Sequence, residues 1–196
     1  MRLLEWSTRA SLAALALAAT TLLAAAPAAQ ETGAMPKFTL TSTDFTEGGT
    51  LANSQVFNEF GCKGANVSPA LAWSGAPAGT QSFALLMHDP DAPTGSGWWH
   101  WVVYNIPPGT GSLAAGAGDP KKGLMPKGAV QGRTDYGSVG YGGPCPPPGK
   151  PHHYRFRVLA LGTKLALPPR ATAADVEREA KGHVLAEGTL TGQYGR

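Results

Sequence analysis

The sequence predicts a mostly β fold in a single domain, with one helix near its C-terminus. Three observations lead there. The 196 residues include 26 glycines and 17 prolines, a load that suits many turns between short strands and does not suit a helical bundle. Apolar, β-branched and aromatic residues gather in runs of strand length bounded by turn residues. Helical spacing appears once, between Ala173 and about Leu185. With 42% hydrophobic and 15% charged residues, a chain of this length closes one core and needs no second domain.

Taken in order, the chain starts with a leader. Arg2 and Arg9 flank a short polar region, Leu12 to Ala26 is alanine-rich and apolar, and Ala26-Pro27-Ala28 offers small residues for cleavage. Residues 1–28 therefore read as a secretory signal peptide cut after Ala28, and 29–196 as the mature domain, periplasmic or secreted. An uncleaved anchor is the alternative. Against it, the apolar stretch falls short of the roughly 20 residues that span a bilayer, and no basic stop-transfer run follows. Losing residues 1–28 removes two bases and one acid, so the formal charge of +3 falls to +2. Lysines and arginines are scattered, with Lys121-Lys122 the only doublet, and this near-neutral balance argues against nucleic acid as a partner.

Within the domain, Ser82 to Met87 is a continuous apolar run ending at an Asp-Pro turn, the pattern of a strand buried on both faces. Trp98 to Ile106 is aromatic and β-branched and stops at Pro107-Pro108, which cannot continue a ladder. Gly109 to Gly128, rich in Gly, Ala and Lys, reads as a long surface connection. Tyr154 to Leu161 is the third strong strand. Val176, Ala180 and Val184 then fall on one face of a helix that follows Thr172, a capping residue, and Gly188 to Tyr194 closes the chain as a strand.

The two cysteines, Cys62 and Cys145, suggest a disulfide. An even count in an exported chain favours a bridge over a zinc pair, because two thiols cannot complete a tetrahedral site. Buried free thiols are the alternative. A bridge would tie the segment before Asn66 to a proline-rich loop, 143–149.

Polar chemistry concentrates in two clusters. Asp89-Pro90-Asp91-Ala92-Pro93 is followed closely by Trp98-Trp99-His100-Trp101, and Gly143-Pro144-Cys145-Pro146-Pro147-Pro148-Gly149 runs into His152-His153-Tyr154. Strand periodicity puts His152 and Tyr154 on one face, His153 and Arg155 on the other, and His100 on a face with Trp98 and Val102. Carboxylates beside imidazoles favour the imidazolium, whose N–H groups donate to an anion. Prolines fix such a loop in advance, so binding orders less chain. The Asp-Pro-Asp run also fits a plain turn with its carboxylates on local N–H groups, and the tryptophans fit core and pocket wall. A catalytic engine is missing: there is no Gly-x-Ser-x-Gly elbow, His-Glu-x-x-His pair or Walker loop. The proline-rich setting of Cys145 argues against a nucleophile.

With Asn66 to Trp73, Asp89 to Pro93, Trp98 to Pro107, Gly132 to Gly137 and Gly140 to Tyr154 in this order, the chain from about Phe38 onward resembles the phosphatidylethanolamine-binding protein family. The family is also called Raf kinase inhibitor protein-like, and the likeness is to its bacterial branch. The resemblance implies a mainly β, two-sheet fold with a C-terminal helix. It also implies a small cavity formed by Asp89, Asp91, His100, Cys145, Pro146, His152 and Tyr154 that takes phosphate or a phosphorylated head group. A binding protein without cofactor follows, not an enzyme. Family members inhibit kinases or proteases, and an exported chain would meet only an exported protease. An exported protease inhibitor or interaction module is therefore the second function class. A metal-dependent hydrolase on Asp89, Asp91, His100 and His152 is the third. His88 and His153 have no place in the implied pocket and read as structural or surface residues.

Overall fold

A computed structural model describes residues 37–196, so the leader and its cleavage position lie outside the described residues. The strands are β1 (Thr39–Thr41), β2 (Leu71–Ser74), β3 (Ser82–Asp89), β4 (Trp98–Ile106), β5 (Ser112–Leu113), β6 (Val130–Gln131), β7 (His152–Leu161) and β8 (Val184–Tyr194), with helix α1 at Ala173–Ala180. They form two sheets, a three-stranded β1-β2-β5 and a five-stranded β6-β4-β3-β7-β8, with antiparallel pairing throughout.

The apolar run at β3 is explained by its central place. Phe83, Leu85 and Met87 point into the core shared with the smaller sheet, where they meet Leu40, Trp73 and Phe156. Ala84 and Leu86 point the other way, onto a second core closed by Ala173, Val176 and Ala180 of α1. Both faces are dry, so alternation disappears from the sequence. Strand β7 divides likewise: Tyr154, Phe156 and Val158 enter the first core, and Leu159 and Leu161 the second. Arg157, on the helix-facing side, is clasped by Glu177 of α1 at 2.6 Å and by both oxygens of Glu187 of β8 at 2.9 and 3.1 Å.

Thr172 caps α1 as expected, in a reciprocal capping box with Asp175. The helix is shorter than its periodicity suggested. Gly182 adopts φ +83, which ends the helical path, and Val184, instead of extending the helix, pairs with Leu161 to open β8. The 109–128 connection is less purely superficial than its composition suggested. It contributes β5 and a 3-10 turn at Pro120–Lys122, and Leu113 and Ala117 are buried in the first core.

Strand β4 carries the irregularity that matters most. The β3–β4 ladder pairs Met87 with Trp101 and His88 with Trp99, so His100 has no residue opposite it. It is the extra residue of a β-bulge, which re-aims side chains and resets the alternation. Trp99, Val102 and Tyr104 pack towards the helix, while Trp101 and Val103 enter the first core. His100 thus turns away from Val102, contrary to strict period two, and meets Tyr154 and Tyr136 edge-on at ring-centroid distances of 5.1 and 5.4 Å.

Candidate functional site

Where β3 ends, Asp89 meets His152 at the start of β7, and this contact forms the floor of a cavity of about 230 Å³. Its walls are mostly apolar: Phe60, Pro93, Trp98, Tyr136, Pro146 and Pro147, with Ala92, Thr94 and Cys145 at the margins and His100 beside the floor. The turn after β3 is held locally. Asp91 donates its N–H to Asp89 Oδ1 at 2.9 Å, and the Thr94 hydroxyl donates to the Gly97 carbonyl. Gly97 is required there, since its φ is +77 and a Cβ would lie 2.5 Å from the Asp89 carbonyl oxygen.

Asp89 is almost wholly buried, and both of its oxygens are engaged. Oδ1 takes the Asp91 N–H, and Oδ2 lies 2.7 Å from His152 Nδ1. The carboxylate therefore orients the imidazole and leaves Nε2 without a partner among the described residues, on a side chain that lines the cavity. The contact is held away from water, with side-chain exposures of 4% and 12%.

His100 is held differently. Its Nδ1 lies 2.7 Å from the Gly142 carbonyl, which can only accept, so that nitrogen carries the proton. Burial pushes the imidazole down to about 4, against the pull of the Gly142 carbonyl and Asp89. The expectation that neighbouring carboxylates favour the imidazolium fails at His100, which stays neutral at physiological pH because desolvation outweighs them. The bulge is braced from outside by Asp135, whose carboxylate accepts the Trp99 N–H at 2.8 Å and whose own N–H bonds the Trp99 carbonyl at 3.0 Å.

A pH effect on stability follows. A histidine whose folded pKa lies below its unfolded value of 6.5 favours folding above that value, and the contribution is lost as pH falls towards about 4. Over that window the loss amounts to about 3 kcal/mol for this fully buried group. Urea unfolding at pH 7.5 and 4.5 checks the loss. NMR titration should find the His100 ring untitrated down to pH 5; a midpoint near 6.5 would contradict this reading.

Of the residues named from sequence, Asp89, His100, Cys145, Pro146 and His152 line this cavity, while Asp91 and Tyr154 do not. Asp91 is drawn outward by His153, whose backbone N–H and Nδ1 lie 2.8 and 2.7 Å from its Oδ2. The His153 backbone hydrogen bond holds the Asp91 carboxyl below its ordinary range. Tyr154 is buried behind His100, and its hydroxyl lacks a hydrogen-bond partner among the described residues. Burial and the charge of Asp89 push its phenol far up, as they do for Tyr136, so both stay protonated.

Two wall residues had no assigned role in the sequence reading. Tyr136 stacks on Phe57 at 4.3 Å and donates its hydroxyl to the Gly143 carbonyl at 3.1 Å. Gly142 admits its ring, since a Cβ there would lie 2.4 Å from a Tyr136 carbon. Phe60 is 70% exposed, at φ +52, and stacks on Phe57 and Tyr136. It is held over the cavity by the Cys62–Cys145 disulfide, which the structure contains as the cysteine count suggested. The signal for Phe60 was its place two residues before Cys62. His88 is structural, with Nε2 3.0 Å from the Ser96 carbonyl and its ring stacked on Trp99. Among the described residues no group of three or more His, Cys, Asp or Glu side chains is arranged to hold a metal ion.

Comparison with known proteins agrees with this architecture. The family model described as phosphatidylethanolamine-binding protein matches residues 41–195. The Escherichia coli protein YbcL is 48% identical over 159 residues, covering 80% of this chain and 87% of YbcL. Its crystal structure, described as that of a new member of the mammalian family, superposes with a TM-score of 0.79 over 82% of this chain and 99% of that one. YbhB of the same species is 46% identical over 79% of this chain and 98% of its own length. LppC of Mycobacterium tuberculosis, whose name marks it as a candidate lipoprotein, is 40% identical over 89% of this chain and 80% of its own. A matching model along nearly the whole described domain, with two relatives close to half identical, establishes that the chain belongs to the phosphatidylethanolamine-binding protein family.

Proposed function

We propose that this is an exported, non-catalytic binding protein whose cavity takes a small anion, phosphate or a phosphorylated head group. The observation that carries the reading is the buried Asp89–His152 pair at the floor of an otherwise apolar cavity. An imidazolium so held presents Nε2–H to an incoming oxyanion, with its own charge balanced from behind by the carboxylate. The aromatic and proline walls suit the uncharged remainder of a ligand. Proline-fixed loops on both sides reduce the ordering that binding demands.

Binding without turnover accords with the set of groups present. Neutral His100 has its Nδ1 committed to the Gly142 carbonyl, Cys145 is oxidised, and the Thr94 hydroxyl in the cavity lining is committed to the Gly97 carbonyl. Native mass spectrometry of the protein from its own compartment is the direct test, with a retained phosphate-bearing adduct expected. Hydrolysis of an added phosphate ester, lost on chelation, would favour the metal-dependent hydrolase instead.

Export is supported by the leader and by the likeness to LppC. N-terminal sequencing of the mature protein should begin near Ala29. An intact Met1 in the membrane fraction would show that the leader is retained.

A further inference from the structure

The geometry points to a pocket that takes its ligand as the singly protonated monoanion of a phosphate monoester, or of phosphate itself, and selects against both the dianion and the phosphodiester. This rests on the anion-binding role proposed above and adds the protonation state and ester class.

The argument is an inventory of the ring nitrogens at the floor. His152 Nδ1 faces Asp89 Oδ2 at 2.7 Å, so its free Nε2 becomes a donor in the imidazolium form. His100 Nδ1 faces the Gly142 carbonyl at 2.7 Å, so its proton sits there and Nε2 is a bare lone pair. That Nε2 makes no hydrogen bond with the described residues, although His100 lines the cavity. The two histidine rings thus offer one free donor and one free acceptor, while a further unpartnered donor, Trp98 Nε1, is buried in the wall.

A phosphate dianion has only acceptors and would set a charged oxygen against the His100 lone pair. A diester monoanion also lacks a P–OH. A monoester monoanion has both complements: a P–O⁻ for His152 and a P–OH for His100. Charge points the same way. An imidazolium at His152 would be balanced by Asp89, and no lysine or arginine is among the described residues lining the cavity, so a dianion would carry two uncompensated charges into a site poor in water.

The groups facing His100 keep it an acceptor. Asp89 from β3, Asp135 and Tyr136 from the loop after β6, and His152 and Tyr154 from β7 surround the ring. The Gly142 and Gly143 carbonyls and the two carboxylates favour protonation, but burial opposes it more strongly. Both phenols remain neutral.

Calorimetric titration of the full mature protein tests the idea with three probes between pH 5 and 8.5: phenyl phosphate, benzylphosphonate and methyl phenyl phosphate. The monoester should bind best below about pH 6, where it keeps its second proton, and weaken above. The phosphonate, which keeps that proton to higher pH, should weaken correspondingly later. The diester should bind at least about tenfold more weakly than the monoester at pH 5.5, the scale of one charge-assisted hydrogen bond lost. Coincident alkaline limbs for the two acids would assign the pH dependence to a protein group and overturn the proposal. A diester as tight as the monoester would overturn it too, while leaving the anion pocket intact and favouring a lipid head group. Absence of binding by all three probes would remove both readings.

Discussion

Reduction of the Cys62–Cys145 disulfide is expected to lower the melting temperature by about 10–20 °C. The bridge spans 83 residues, and cross-linking a loop of that size removes about 4–5 kcal/mol of unfolded-state entropy on the chain-entropy model. Each kcal/mol moves the midpoint of a domain this large by roughly 2–4 °C. The effect is a large share of a typical total stability of about 5–15 kcal/mol. Calorimetry with and without reductant, and on the double variant Cys62→Ala/Cys145→Ala, measures it. Superimposable melting curves, or alkylation of both cysteines in the folded, unreduced protein, would rule it out. Ligand affinity should fall with reduction as well, because the bridge ties Cys145 to the segment that carries Phe60, and both residues line the cavity.

His152→Ala is expected to weaken binding of phenyl phosphate at pH 6 by about 10- to 100-fold, the range for a lost hydrogen bond to a charged group. The variant removes the donor and also leaves Asp89 Oδ2, nearly inaccessible to water, without its partner. Asp89→Ala should weaken binding to a similar extent by freeing the imidazole from its anchor. His153→Ala is the internal control. That ring is 43% exposed on the other face of β7, and Asp91 keeps the backbone N–H of residue 153 when the ring is gone. Its affinity should stay within about twofold of wild type, since exposed pairs of this kind contribute little. Unchanged binding in His152→Ala, or an equal loss in folded His153→Ala, would place the site elsewhere.

The parts of this protein legible in sequence were those governed by local rules. The unalternated run of β3 announced a strand with two dry faces, Thr172 announced a helix start, and two cysteines behind a leader-like segment announced a bridge. The helix end was misjudged because Val184 continued the apolar period, whereas the positive φ of Gly182 decided the matter. His100 was placed in the site by resemblance, but its orientation depends on a bulge that only the partner strand reveals. Its neutrality was equally hidden, since it depends on burial and on a carbonyl 42 residues away. Tyr136 and Phe60 reach the cavity from loops without periodicity. Asp91 looked equivalent to Asp89 until His153 competed for it through two nitrogens.

The seam between β3 and β7 also bears on how fast the chain folds. The β3–β4 and β7–β8 pairs join strands close in sequence, but the seam that unites them runs from Ser82 with Leu161 to His88 with Arg155, and such distant pairing slows the search for the native topology. Asp89 and His152, which complete the site at the end of that seam, are 63 residues apart. Once Cys62 and Cys145 are joined, the path through the bridge cuts that contour to about half, and the entropy of closing it drops by about 0.6 kcal/mol. Oxidised chains diluted from denaturant should therefore regain the cavity about threefold faster than reduced ones. A thiol oxidised soon after export would make the polypeptide assemble its floor sooner, shortening the time during which the dry faces of β3 stand open to other chains.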